Sequence, residues 1–308
     1  MARTTLTTTV TEEQAGRIDL VIRNLCEASR SQVRGMFEHG CVSVNGRRCE
    51  QLATAVNIGD VVALNYDPDQ RYREKKKQWS DRTFQVVFED DHLIVVDKAA
   101  GTLTIPTDRN EANTLVERVS VYISHSRRNR VACLVHRLDR DVSGLLVFGK
   151  HQPVADRLIE QFKQRKPSRV YAAIVAGVVK ADEGTFDAHL ATGKNLDRYV
   201  AAPSAKTEAA ITHYRVLQRS TDTTLVEATL ETGKRNQIRV HFANAGHPVL
   251  GDPRYRTEQA QHPRWTRKRI ALHARSLGFV HPATGEPVQF ESPLPPAMEK
   301  FLAGSRKR

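Results

Sequence analysis

The chain has 308 residues, room for two domains at about 150 residues each. Hydrophobic residues make up 40% and charged residues 27%, a globular composition that excludes a mostly disordered chain. Lys+Arg 47 against Asp+Glu 35 leaves a net charge of +12, which suits a polyanionic partner and says little about fold.

No run approaches the roughly 18 apolar residues of a membrane span. The opening MARTTLTTTVTEEQAG lacks the apolar segment of a signal peptide and is expected to be a frayed polar tail. Cys26, Cys41, Cys49 and Cys133 form no CxxC pair, so neither a disulfide framework nor a zinc site is expected, and reduced thiols in a cytoplasm are the plain reading.

In chain order, Ile18, Val21, Ile22, Leu25 and Cys26 make one apolar helical stripe. Ser29 caps a second helix, with Val33, Met36 and Phe37 inward, that Gly40 stops. CVSVNGRR then turns at Asn45-Gly46, a hairpin signal, and Val56 and Ile58 lead through Gly59-Asp60 to a last strand, VVAL. From Asp67 to Arg82 the chain turns polar, and RYREKKK carries five basic residues against one acidic, a linker with little apolar surface that can also follow a phosphate backbone.

FQVVFEDDHLIVVDK reads as two strands about a Glu89-Asp90-Asp91 turn, and a helix carrying Leu115, Val119 and Tyr122 follows. VACLV and LLVF are apolar runs with a polar loop between them, and PVADRLIEQFKQR is a helix with Val154, Leu158 and Phe162 inward. VYAAIV and segments near 208–217 and 224–231 are strands, GKRNQIRVHFANAG opens a helix ended by Gly246, and LHARSLGFVHPATGEPVQF closes with a hairpin. Strands outnumber helices and do not alternate with them, which favours α+β over a parallel doubly wound fold. There is no GxGxxG after a strand and no GxxxxGK[ST], so no nucleotide-phosphate loop is expected.

The densest chemistry lies in VHRLDRDVSGLLVFGK, where His136, Arg137, Asp139, Arg140, Asp141 and Ser143 sit between two apolar runs. By residue type alone this is a charged surface loop with internal salt bridges. A loop between strands, however, holds side chains rigidly at a sheet edge, and Leu138 between two charges anchors one side of it in the core.

Two resemblances sharpen these readings. GRIDLVIRNLCEASRSQVRGMFEHGCVSVNGRRCEQLATAVNIGDVVAL resembles the S-four RNA-binding domain, whose helix pair and following loop present basic residues to structured RNA. The resemblance makes Arg30, Arg34, Arg47 and Arg48 candidates for phosphate contacts. HRLDRDVSGLLVFGK resembles the HRLD-x-x-TSG signature of the RluA/RluC/RluD family of pseudouridine synthases, SRVYAAIVAG its second motif, and ETGKRNQIRVHFANAGHPVLGD its third. FEDDHLIVVDKAAG resembles the strand pair that opens that family's catalytic domain. Departures are small: Val142-Ser143 stands for Thr-Ser, KAAG for KPAG, and Lys234, Arg235 and Asn236 stand where Arg, Thr and His are frequent.

The resemblance implies an α+β fold, a mixed and largely antiparallel sheet with a central cleft, plus a small N-terminal αβ S-four domain. The division expected is a tail over 1–15, the S-four domain over 16–66, a basic linker over 67–82, the catalytic domain over 83–303 and a basic tail over 304–308. It implies isomerisation of uridine to pseudouridine in RNA, with Asp139 as the essential acid, Arg239 holding it ionised and oriented, and Tyr171 stacking on the extruded uracil. Arg137 would fill the space the base leaves, since a guanidinium both stacks and binds phosphate; its neutral alternative is a salt bridge to Asp139 or Asp141. Lys163, Arg165, Lys166 and Arg169 would grip the RNA backbone or form a solvated face. Ile238 and Leu190 are expected to wall the pocket, and His136 to be a structural hydrogen-bonding residue.

The rearrangement breaks N1–C1′ and joins C5 to C1′ with no net oxidation or hydrolysis, so neither metal nor redox cofactor is called for; a carboxylate is. The partner expected is structured RNA, with large-subunit ribosomal RNA in first place, and the chain is expected to be cytoplasmic and monomeric. Two alternatives stand beside this reading: a non-catalytic RNA-binding ribosome-assembly factor on the same scaffold, and a glycosylase that releases the base.

Overall fold

A computed structural model describes residues 3–68, 70, 72, 81–126, 131–266 and 268–305. The chain divides into two compact units, Met1–Trp79 and Ser80–Arg308. Among the described residues no helix is long and apolar enough to cross a membrane.

The first unit runs β1 (Thr4–Thr9), β2 (Gly16–Arg17), α1 (Ile18–Cys26), α2 (Arg30–Glu38), β3 (Val42–Val44), β4 (Arg47–Arg48), β5 (Ala55–Val56) and β6 (Val61–Tyr66). The α1 stripe buries Ile18, Val21 and Ile22 against Val33, Met36 and Phe37 of α2 and Val62 and Leu64 of β6. A capping box opens α2: the Gln32 amide donates to the Ser29 hydroxyl at 3.3 Å, and the Ser29 amide donates to Gln32 Oε1 at 3.0 Å. β3 and β4 pair across Asn45 and Gly46, both at positive φ (50° and 77°), the turn whose twist matches a hairpin. The sheet order is β1-β6-β3-β4, with β2-β5 as a separate pair.

The tail expected over residues 1–15 is corrected here. β1 lies antiparallel to β6 from Thr4↔Tyr66 to Thr9↔Val61, and Val10 is buried in the core. Threonine is β-branched and favours extended backbone, so a polar TTLTTT run suits a strand that needs only one covered face. Most of RYREKKK lies outside the described residues. Tyr72 within it is buried in the same core, and its hydroxyl accepts from the Asp67 amide at 2.7 Å. The linker expectation therefore fails at that residue, because average polarity concealed one anchoring ring.

The second unit runs β7 (Phe84–Glu89), β8 (Leu93–Lys98), α3 (Leu115–Ser126), β9 (Cys133–Leu134), β10 (Ser143–Gly149), α4 (Gln152–Lys163), β11 (Ser168–Ala176), β12 (Glu183–Thr192), β13 (Arg198–Ala201), β14 (Glu208–Arg219), β15 (Thr223–Leu230), α5 (Gln237–Asn244), α6 (Thr257–Ala260), β16 (Leu272–Val280), β17 (Pro287–Glu291) and α7 (Pro296–Ser305). α7 runs past residue 303, where the catalytic domain was expected to end. β12 and β13 are strands that the sequence reading left without an element.

One eleven-stranded sheet orders β13-β12-β14-β15-β11-β16-β10-β8-β7, with β17 beside β16 and β9 beside β10. Only β10–β16 is parallel; the other pairs are antiparallel. This is the mixed, largely antiparallel α+β architecture expected. β10 is buried at every residue, which explains its unbroken apolar run. On one side α4 covers it with Val154 and Leu158, against Leu93, Val95, Leu145 and Val147. Gly144 has φ 119°, and a Cβ there would stand 2.3 Å from the Ala274 carbonyl oxygen, so the two parallel central strands meet only through glycine.

Candidate active site

The loop between β9 and β10 is tied down from both sides. Leu138 is buried, and the Thr104 hydroxyl both donates to its carbonyl at 2.7 Å and accepts from its amide at 3.2 Å. Lys98, fully buried at the end of β8, donates to the carbonyls of Ala99, Thr102 and Arg140 at 3.0, 2.8 and 2.9 Å. The Ile270 amide donates to the Asp141 carbonyl at 3.2 Å. Asp139 therefore projects from a rigid loop whose neighbours are locked.

Burial pushes the Lys98 ammonium down to about 7, partly offset by the charges of Asp141 and Asp139. Between about pH 7 and the ordinary lysine value of 10.5 the unfolded chain holds a proton at this position that the folded chain does not. Stability thus rises with pH across that window. The Lys98→Met variant is expected to lose this contribution, giving a smaller rise in melting temperature from pH 7 to pH 10 than the wild type; equal rises in the two proteins would refute it.

Opposite the loop stands the start of α5. Gln237, buried, donates to the Ile211 carbonyl and the Thr212 hydroxyl at 2.9 Å each and accepts from the Thr232 hydroxyl at 2.8 Å. Asn236 precedes the helix in the left-handed region (φ 57°) and turns its side chain back to Arg239. Arg239 then bridges two acids. Its Nη1 donates to Asp139 Oδ2 at 2.7 Å and to Asn236 Oδ1 at 3.0 Å, while Nε and Nη2 donate to the two Asp252 oxygens at 2.7 and 2.8 Å. Asp252 is fully buried and also accepts from the amides of Arg254 and Tyr255. Burial alone would lower the Arg239 guanidinium; hydrogen bonds and charge from Asp252, then from Asp139, outweigh it and raise it above the ordinary arginine value. Asp139 itself is about a quarter exposed (27%), the one open member of this Asp–Arg–Asp chain.

Tyr171 lies on β11 between Ala228 of β15 and Ala274 of β16. β16 carries one extra residue opposite the Val170–Tyr171 step, a bulge of the kind that re-aims side chains beside functional sites. Burial pushes the Tyr171 phenol up; the Arg169 charge opposes this and the Asp139 charge adds to it. Asp139, Tyr171, Arg239 and Ile238 line one cleft of about 760 Å³, within the range of small-molecule sites.

The remaining expectations divide. Arg137 is exposed and lines both this cleft and an adjoining one of about 450 Å³. The salt bridges weighed for it are taken elsewhere, Asp139 pairing with Arg239 and Asp141 with Arg140. Lys163 and Arg165 line the cleft, with Arg165 also 3.3 Å from Glu231. Lys166 is exposed and does not line it. Arg169 does not belong to that exposed run: it is buried in the cleft wall. Leu190 is no wall of the cleft; it packs with Ala210 and Val240 in a separate core cluster. Burial, then the Arg169 charge, push His136 down to about 3, and as neutral imidazole its Nε2 accepts from the Val147 amide at 3.2 Å, a structural role. In the first unit Arg30 and Arg34 lie exposed one turn apart on α2, with Arg47 and Arg48 exposed on β4. Arg48 is 3.2 Å from Glu50.

Sequence reasoning missed Asp252, Asn236, Thr104 and Lys98 as parts of the site. Asp252 lay at the end of a quoted motif without a role, and Lys98 counted only as the first residue of KAAG. The usable signal was chemical: a buried arginine that holds one carboxylate still has a second edge to satisfy.

Residues 92–244 match the RNA pseudouridylate synthase family model, and residues 16–62 the S4 domain. A protein named ribosomal large subunit pseudouridine synthase D from Zymomonas mobilis is 36% identical, over 94% of this chain and 94% of that one. A relative of the same name from Pseudomonas aeruginosa is 34% identical over 93% of this chain and 90% of its own. The solved structure of human RNA pseudouridylate synthase domain containing 4 superposes with a TM-score of 0.61 at 22% identity, covering 72% of this chain and 92% of that chain, a likeness of fold. An acid, a guanidinium and a phenol gathered in one cleft, on this sheet and beside these relatives, identify the chain as a member of the RNA pseudouridylate synthase family.

Proposed function

We propose that the chain isomerises specific uridines to pseudouridine in large-subunit ribosomal RNA, the substrate class that the names of its relatives carry. The observation that supports this most is the Asp139 carboxylate, open to the cleft on one side and held at 2.7 Å by Arg239 on the other. In this reading Asp139 attacks the extruded nucleotide as the N1–C1′ bond breaks. The uracil turns, C5 bonds to C1′, the bond formed to Asp139 breaks and restores its carboxylate, and the hydrogen on C5 leaves as N1 gains one, so atoms and charge balance with no outside reagent. Tyr171 flanks the base, Arg137 occupies its place in the helix, and the arginines of α2 and β4 hold the surrounding RNA.

A non-catalytic assembly factor has no use for a partly exposed acid backed by a buried guanidinium and a second buried acid, since that arrangement orients charge at a cost in desolvation. The chain is taken to act as a monomer in the cytoplasm, where ribosomal RNA is its target. Mapping carbodiimide-modified pseudouridine by reverse-transcription stops across total RNA, with and without the protein, tests the proposal. New stops at discrete large-subunit positions are expected; free uracil in their place would establish a glycosylase, and no change a binding protein.

A further inference from the structure

Arg169 is unlike the other buried arginines. Among the described residues three arginines are less than a tenth exposed: Arg169 at 9%, Arg198 at 8% and Arg239 at 6%. Arg198 holds Glu208 at 2.6 Å and Arg239 holds two aspartates. Among the described residues Arg169 holds no carboxylate, which sets it apart; its Nε is also buried with no acceptor, as is that of Arg198. Buried charges are otherwise paired, because an unpaired one keeps its full desolvation penalty.

Its surroundings are shaped for a guanidinium but do not neutralise it. Cζ stands 5.6 Å from the centre of the Phe162 ring, which is stacked on His136 at 4.6 Å. The backbone of Gly233 approaches so closely that a Cβ there would meet Nη1 at 2.3 Å. On β11, Arg169 and Tyr171 are two residues apart, hence on one face, and both line the cleft of Asp139. Lys163 and Arg165 line the same cleft, so it gathers positive charge around a cation that already lacks a partner.

Resting on the RNA-isomerase reading above, we infer that Arg169 is an anion subsite inside the cleft, which receives a phosphate of the RNA strand beside the extruded nucleotide. A uracil carbonyl would supply a hydrogen bond and leave the charge uncompensated. The phosphodiester is the anionic group that RNA carries, and a guanidinium fork matches two of its oxygens. The position then stores an unfavourable desolvation that substrate binding relieves.

The test compares full-length wild type, Arg169→Met, Arg169→Lys and Gly233→Ala on one RNA that the wild type converts. Arg169→Met is expected to melt at or above the wild-type temperature, because it removes an unpaired buried charge. Its KM for RNA is expected to rise at least about tenfold with a smaller change in kcat. The slope of log affinity against log salt is expected to fall by about one. Arg169→Lys should recover part of the KM loss, and Gly233→Ala, which crowds Nη1, should repeat the loss in milder form. Inorganic phosphate should raise the melting temperature of the wild type more than that of Arg169→Met.

A lower melting temperature for Arg169→Met with an unchanged salt slope would make the residue structural and overturn the inference. A loss confined to kcat would make it a contact to the base and overturn it equally. Where Arg169→Met fails to fold, the salt slope and KM of Gly233→Ala decide. Failure of the wild type to form pseudouridine would sink the parent reading, whereas an active wild type matched by Arg169→Met sinks only the phosphate assignment.

Discussion

Asp139→Asn is expected to abolish pseudouridine formation, by roughly 10⁴-fold or more, the scale on which enzymes lose turnover when a covalent or charge-bearing group is removed. The substitution is nearly isosteric, and the asparagine carbonyl oxygen can still accept from Arg239 Nη1, as the carboxylate does at 2.7 Å. Arg239 keeps its two bonds to Asp252, so its buried charge stays compensated. Because Asp139 is partly open to solvent, the change leaves no orphaned group inside the protein. Melting temperature and RNA affinity should therefore stay near wild type while product disappears. The measurement is single-turnover conversion on a mapped uridine, with binding measured on the same RNA. Residual conversion within about tenfold of wild type would mean that positioning by Arg239 and Tyr171 carries the rate, and that Asp139 is not the reacting group.

How much of this was legible before coordinates depends on whether the relevant physics is local. The apolar runs FQVVFE and LIVVDK about the Glu89-Asp90-Asp91 turn, the apolar stripe on α1, the Ser29 cap and the Asn45-Gly46 turn are short-range signals, and each element stands where its pattern placed it. Asp139, Tyr171 and Arg239 were legible through motifs, and the fold brings them to one cleft although they come from a loop, a strand and a helix far apart in sequence. Burial at a distance was not legible. Asp252 has no neighbour in sequence that announces a buried acid; its surroundings exist only once α5 and the loop after it have packed. Arg169 looked equivalent to Lys163, Arg165 and Lys166, four cations within seven positions. Only the strand period, which puts it on the face of Tyr171, separates it from the exposed three. β1 was lost because threonine polarity outweighed threonine geometry.

Arg239→Met should remove nearly all turnover, at least about 10³-fold, and should also destabilise the fold by about 3–5 kcal/mol, the cost of breaking a buried ion pair from one side. The two losses have separate origins. Stability falls because Asp252, with no exposed side-chain surface, loses both guanidinium bonds and keeps only the amides of Arg254 and Tyr255. Turnover falls because Asp139 loses the donor that aims it into the cleft. A double-variant cycle separates the two. Adding Asp252→Asn to Arg239→Met removes the stranded charge, so most of the lost stability should return, read as melting temperature or denaturant midpoint. Turnover should not return, since nothing then orients Asp139. If the double variant recovered activity together with stability, Arg239 would be only a counter-ion for a buried acid. If stability stayed low, the Arg239–Asp252 pair would not be what holds α5 to the loop that follows it.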